Sequence, residues 1–247
     1  MVDARMAMKP RADEAGAGST VVPPASPRPS SLYRLIAWVS RPVVRKVYRL
    51  RVRGLEHVPA RGGFVVAANH TSNLDPWPLG IALWPRPLHF MVKHEAWWPP
   101  LRWVLAAVGT FPVRRGEGDV RALETAVGLC REGRVMAMFP EGTRRSKGLR
   151  KRHRPRPHGG AGWIALRAGV PLVPAAIRGM DRLTRLGPVR LVFGAAIPLD
   201  DLRGLELRAA ADEATQRLWA EIQRLEAELD ADALPVLGDE RERAGLP

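Results

Sequence analysis

The chain has 247 residues, 46% of them apolar, with 39 Lys and Arg against 25 Asp and Glu and a single Cys. That balance fits one main globular domain and excludes both a disordered chain and a disulfide scaffold. No stretch of ~18 apolar residues is free of charge; the best, 161–177, is broken by Arg167 and Pro171, so no membrane-spanning helix is expected.

Residues 1–30 contain five Pro and no aromatic residue, with many Ala, Gly and Ser, and are expected to form a disordered tail. They also lack the apolar core of a signal peptide, which predicts a protein on the cytosolic side. In residues 31–50, Leu32, Ile36, Val39, Val43, Val47 and Leu50 recur at helical spacing, with Arg34, Arg41 and Arg45 on the opposite face. Pro42 should kink this amphipathic helix or start a second one. Its apolar stripe either packs against the domain or lies on an anionic bilayer, with the arginines facing the headgroups.

Between residues 51 and 205, short apolar runs at 64–68, 88–92, 110–113, 135–139, 172–177 and 189–193 alternate with helical patterns. This alternation predicts an α/β domain with a mostly parallel central sheet flanked by helices. Gly109, Gly133 and Gly169 each follow a helical stretch, where a left-handed cap is expected. In 206–247, Ala211, Ala214, Leu218, Ile222, Leu225 and Leu229 mark one long amphipathic helix that should cover the domain, followed by a tail.

Charge is unevenly placed. Residues 1–200 hold 33 basic and 13 acidic residues, against 6 and 12 in 201–247, so the first part should meet something anionic: nucleic acid, a lipid surface or a phosphorylated metabolite. Arginine supplies 34 of the 39 cations, a planar fork suited to phosphate.

Three segments carry candidate chemistry. The run from Phe64 to Pro76 reads as a buried strand, a polar turn and a helix start, which puts His70 at the carboxyl end of a strand, where α/β sheets bind ligands. Asp75 can accept a bond from one ring nitrogen of His70 and leave the other as a base, or it can simply cap the next helix. From Val135 to Arg145 a second strand enters a turn holding Glu141, Gly142, Thr143 and Arg144: an acid, a permissive glycine, a hydroxyl and a guanidinium for a phosphate or carboxylate. Residues 144–156 add up to eight Lys or Arg and no acid, which reads equally as an anion site or a solvated loop. The third segment, Gly109 to Gly116, again puts arginine, Arg115, at a strand end. Together they predict a cleft with one base and several phosphate ligands.

These residues identify the chain as resembling the glycerolipid acyltransferases of the 1-acylglycerol-3-phosphate acyltransferase type. Asn69-His70-Thr-Ser-Asn-Leu-Asp75 resembles the family's NHxSxxD box, Gly109 to Arg115 its GxxxxxR segment, Phe139 to Arg144 its FPEGTR box and Val170 to Pro174 its fourth motif. Met91 to Glu95 resembles the segment that supplies a Lys beside the substrate phosphate, here Lys93. The chain departs from the pattern at Arg145, where the family usually has Ser, at Arg114, often Asp, and at Arg156 to Gly160 in place of Phe-Lys-x-Gly.

The resemblance implies acyl transfer from an acyl-CoA or acyl carrier protein thioester to the free hydroxyl of a lysophospholipid, giving phosphatidic acid in phospholipid biosynthesis. It implies no cofactor and no metal, with His70 and Asp75 catalytic and Lys93, Arg115, Glu141, Gly142, Thr143 and Arg144 at the substrate. With the basic helix it implies a peripheral protein on the cytoplasmic face of the membrane. Another lysolipid acceptor is the nearest alternative. Nucleic-acid binding is disfavoured, since the basic run lacks interleaved aromatics and no helix-turn-helix or zinc spacing occurs. Cys130 lies in an apolar helical context that suits a core residue better than a nucleophile.

Overall fold

A computed structural model describes residues 29–114, 119–142, 146–147, 151–152, 157–181 and 186–231. The expected tail therefore lies almost wholly outside the described residues, as do Arg115, Thr143, Arg144, Arg145 and most of the basic run that follows.

Seven strands form one sheet: β1 (Arg51–Arg53), β2 (Phe64–Ala68), β3 (Leu88–Lys93), β4 (Thr110–Val113), β5 (Val135–Met138), β8 (Leu172–Arg178) and β9 (Arg190–Phe193). They are ordered β1-β9-β8-β2-β5-β3-β4, and every neighbouring pair is parallel except β8 and β9. The mixed α/β class read from the sequence is the one found. Central β2 is buried at all five positions, because a parallel strand in mid-sheet is covered on both faces. Phe64, Val66 and Ala68 face the layer of α2 (Pro76–Ala82), while Val65 and Ala67 face α4 (Val120–Arg131), α5 (Gly160–Ala168) and α6 (Leu207–Ala231).

The predicted helix stops are present. Gly169 caps α5 at φ +69°, and Gly109, at φ +85°, passes so close to the Leu88 carbonyl that a Cβ would lie 2.4 Å from its oxygen. Along α6 all six expected core residues are buried, from Ala211 to Leu229. Cys130 is buried in α4, where desolvation pushes its thiol up to about 12, so it carries no useful thiolate at neutral pH.

Helix α1 (Ser31–Pro42) continues beyond Pro42 as a π turn, Val43–Val47, and of the two alternatives read for its apolar stripe, packing against the domain is the one the structure does not show. Leu32, Val39, Val43 and Val47 are 36–53% exposed, and only Leu50 of that set is fully buried. The helix packs instead through Ala37 and Val44, and through Tyr33, which stacks on Trp84 and accepts the Leu88 N–H at 3.3 Å. Arg41, expected toward solvent, is half-buried with its guanidinium 6.0 Å above the Trp84 ring. Edge strand β1 and the antiparallel pair β6 (Ser146–Lys147) and β7 (Lys151–Arg152) inside the basic run were not anticipated either. Each has only two or three residues, too few to show a period.

Candidate active site

Strands β2, β5, β3 and β4 are adjacent and parallel, so their carboxyl ends open on one edge of the sheet. To that edge β2 brings His70, β5 brings Glu141 and Gly142, and β3 brings Lys93. Strand β4 ends at Val113, two residues before Arg115. Arg115, Thr143 and Arg144 lie outside the described residues, so the convergence seen here is that of their strands. Lys93 is exposed at the end of β3.

His70 and Asp75 form a closed local unit. The His70 Nδ1 lies 2.9 Å from Asp75 Oδ2, with the His70 side chain 12% exposed and that of Asp75 fully buried. The same Oδ2 accepts the backbone N–H groups of Thr71 at 2.7 Å and Ser72 at 2.8 Å, and Oδ1 accepts the Thr71 hydroxyl at 3.0 Å. Asp75 precedes α2 yet makes no capping bond to it, and Pro76 has no N–H to offer. The alternative of a simple helix cap is thereby removed: the carboxylate turns back on its own loop and holds the imidazole. Facing a carboxylate, Nδ1 carries the proton and Nε2 keeps its lone pair. The Phe139 ring stacks on the imidazole at 4.6 Å between centroids and fixes its plane.

Two further contacts hold the backbone under His70. Its N–H donates to Glu141 Oε1 at 3.1 Å, which ties the two boxes together across the edge from β2 to β5. Glu141 is 3% exposed, so its carboxylate supports the His70 loop from inside the fold. Asn69, fully buried, continues the sheet with its side chain after the β2–β8 ladder ends at Ala68 and Ala175. Its Oδ1 accepts the Ile177 N–H at 2.7 Å, and its Nδ2 donates to the Ile177 carbonyl at 3.0 Å.

Sequence reasoning missed His158. Gly142 has φ +63°, and a Cβ on it would stand 2.8 Å from the His158 imidazole. The His158 N–H donates to the Pro140 carbonyl at 2.8 Å, which brings the chain after the basic run back onto the turn. The only sequence signal was the departure from Phe-Lys-x-Gly at this place. Among the described residues no cluster of His, Cys, Asp and Glu has the arrangement of a metal site.

Residues 49–178 match the model of the family described as Acyltransferase. The 1-acyl-sn-glycerol-3-phosphate acyltransferase of Bacillus subtilis (strain 168) is 30% identical over 187 residues, covering 73% of this chain and 90% of that protein. A lyso-ornithine lipid O-acyltransferase of Pseudomonas aeruginosa is 34% identical over 143 residues, 57% of this chain and 51% of its own length. Among solved structures, the 1-acyl-sn-glycerophosphate acyltransferase PlsC of Thermotoga maritima superposes with a TM-score of 0.55 at 25% identity, covering 81% of this chain and 82% of that one. A parallel sheet whose carboxyl edge carries an oriented His–Asp pair, in a chain matched along most of its length by such enzymes, leads to one conclusion: this protein belongs to the acyltransferase family and is an O-acyltransferase.

Proposed function

We propose that the protein acylates the free hydroxyl of 1-acylglycerol 3-phosphate from an acyl-CoA or acyl carrier protein thioester, giving phosphatidic acid. The observation that carries this reading is the His70–Asp75 pair at 2.9 Å, set just beyond the carboxyl end of β2. An alcohol is a poor nucleophile at neutral pH, so its proton must leave as it attacks. His70 Nε2 takes that proton while the oxygen bonds to the thioester carbonyl carbon, and Asp75 stabilises the imidazolium. Collapse breaks the carbon–sulfur bond, and the imidazolium returns its proton to the departing thiolate. The acceptor phosphate is assigned to Arg115 and Arg144, assisted by Lys93, with Gly142 and Thr143 shaping the turn and Glu141 holding it under His70. Buried Cys130 plays no part, and neither a cofactor nor a metal is required.

The test is transfer of labelled acyl groups from acyl-CoA and from acyl carrier protein to a panel of lysophosphatidate, lyso-ornithine lipid and glycerol 3-phosphate. Lysophosphatidate should give the highest kcat/KM. Product from lyso-ornithine lipid alone would assign the acceptor of the Pseudomonas relative, and no transfer to any acceptor would end the proposal.

A peripheral position on the cytoplasmic face of a membrane is the second part of this reading. Among the described residues no helix is long and apolar enough to cross a bilayer. Helix α1 instead exposes Leu35, Trp38 and Val39, and α3 (Pro99–Ala107), which packs beside it, exposes Leu101, Trp103 and Val104. Ser30, at the start of α1, donates its hydroxyl to the Ala107 carbonyl at the end of α3 at 2.9 Å. Arg34, Arg45 and Lys46 are exposed in the same region, and residues 31–53 contain no acid. Exposed tryptophans among cations suit a bilayer interface, where each cation contributes ~1 kcal/mol. Sedimentation with vesicles containing phosphatidylglycerol should show binding that weakens with salt and falls when Arg34, Arg41 and Arg45 become Glu. Replacement of Trp38 and Trp103 by Ser should weaken it at every salt concentration. Indifference to all five changes would move the membrane contact to the basic run 144–156.

A further inference from the structure

Glu226 occupies a place where a carboxylate is costly. It lies in α6 four residues after Ile222 and three before Leu229, on the stripe that packs against β8, and it is 6% exposed. Acidic side chains are almost never buried so deeply unless paired, because the charge must be taken out of water. A Met or Leu would fill the same position without that cost. Glu226 Oε1 accepts the second N–H of Asn69 Nδ2 at 3.0 Å and lies 4.0 Å from the Arg178 guanidinium at the end of β8.

Asn69 is the residue immediately before His70. Its side-chain amide already spans to both backbone groups of Ile177, and Glu226 supplies the acceptor for its remaining N–H. The backbone entering His70 is thus held on one side by Glu141 and on the other by a chain of bonds from α6 through Asn69. We propose that Glu226 is a positioning residue for acyl transfer: the C-terminal helix sets the direction in which His70 meets its substrate, through the Glu226–Asn69 hydrogen bond. This rests on the reading of His70 as the base. Glu226 is buried behind Asn69 and reaches His70 only through it, so its effect falls on the orientation of the base and leaves the groups that hold acceptor and donor in place. A general base displaced by a fraction of an ångström loses rate without loss of substrate affinity.

The test uses the full chain and the acceptor that the wild type turns over best. Glu226→Met keeps the side-chain volume and removes the acceptor, and it should lower kcat about ten- to a hundredfold with both KM values within about twofold. Glu226→Gln keeps an oxygen facing Asn69 and should recover kcat to within about threefold of wild type, whereas a role limited to charge or to packing predicts no such rescue. Leu229→Ala, which loosens the same helix from the core, is the control: measured well below its melting temperature, it should retain kcat. A wild-type kcat in Glu226→Met would overturn the proposal, as would an equal loss in Leu229→Ala or in Glu226→Gln. Should Glu226→Met fail to fold, Glu226→Ala and Glu226→Gln decide: loss of kcat at constant KM in Glu226→Ala with near-wild-type kcat in Glu226→Gln supports it, and an unchanged kcat in Glu226→Ala overturns it. His70→Ala, assayed alongside, separates the two readings. An active His70→Ala protein removes the base itself, and an inactive one beside a fully active Glu226→Met protein removes only the role of α6.

Discussion

His70→Ala is expected to lower kcat by about 10²–10⁴-fold at saturating acceptor, the range that a positioned general base contributes. Asp75→Asn should be almost as damaging. The carboxylate of Asp75 is fully buried and accepts from Thr71, Ser72 and the imidazole together, so it orients the loop as well as the ring. An amide at this place offers an N–H where Nδ1 needs an acceptor, selects the other tautomer and leaves Nε2 protonated. It also cannot stabilise the imidazolium that forms as the alcohol attacks. Circular dichroism of His70→Ala should stay close to wild type, because Asp75 keeps its bonds to Thr71 and Ser72 and the loop keeps its course. The assay is initial-rate transfer from labelled acyl-CoA. A His70→Ala protein that keeps more than about a tenth of wild-type turnover would exclude His70 as the base, since the loss would fall short of what that role supplies.

The second large effect concerns the acceptor phosphate. Charge-assisted hydrogen bonds contribute ~1.5–3 kcal/mol each, so Arg144→Ala should raise the acceptor KM about ten- to a hundredfold and leave the thioester KM much less affected. Arg115→Ala should act in the same direction, and Arg144→Lys should recover only part of the loss, because an ammonium cannot reproduce the bidentate fork. Arg144 follows β5 and Arg115 follows β4, strands that reach the same edge as His70 with β3 between them. An unchanged acceptor KM together with a raised thioester KM would reverse the assignment and give the arginines to the donor.

Local spacing carried much of this protein. Asp75 lies five residues from His70, so a single turn brings them together, and their pairing could be read before any fold was known. Strand β2 stands at the residues expected from its apolar run, and the α6 stripe was legible because 3.6-residue periodicity over 25 residues leaves little ambiguity. Contacts between distant segments were not legible. Glu141 reaches the His70 backbone across 71 residues, and Glu226 reaches Asn69 across 157. A sequence shows an acid at each place without its partner. Helix α1 makes the same point from the other side. With Leu32, Leu35, Ile36, Ala37, Trp38, Val39, Val43, Val44 and Val47, it is apolar around most of its circumference and offers more than one stripe. The sequence by itself determined that this segment is helical, that the sheet is mostly parallel and that a His–Asp pair stands at its edge. Only the tertiary structure decided which side of α1 is buried, since that depends on the shape of Trp84 and the free N–H of Leu88 meeting Tyr33. It also decided which acids stand behind His70, because burial of a charge is settled by the partner that the fold brings to it.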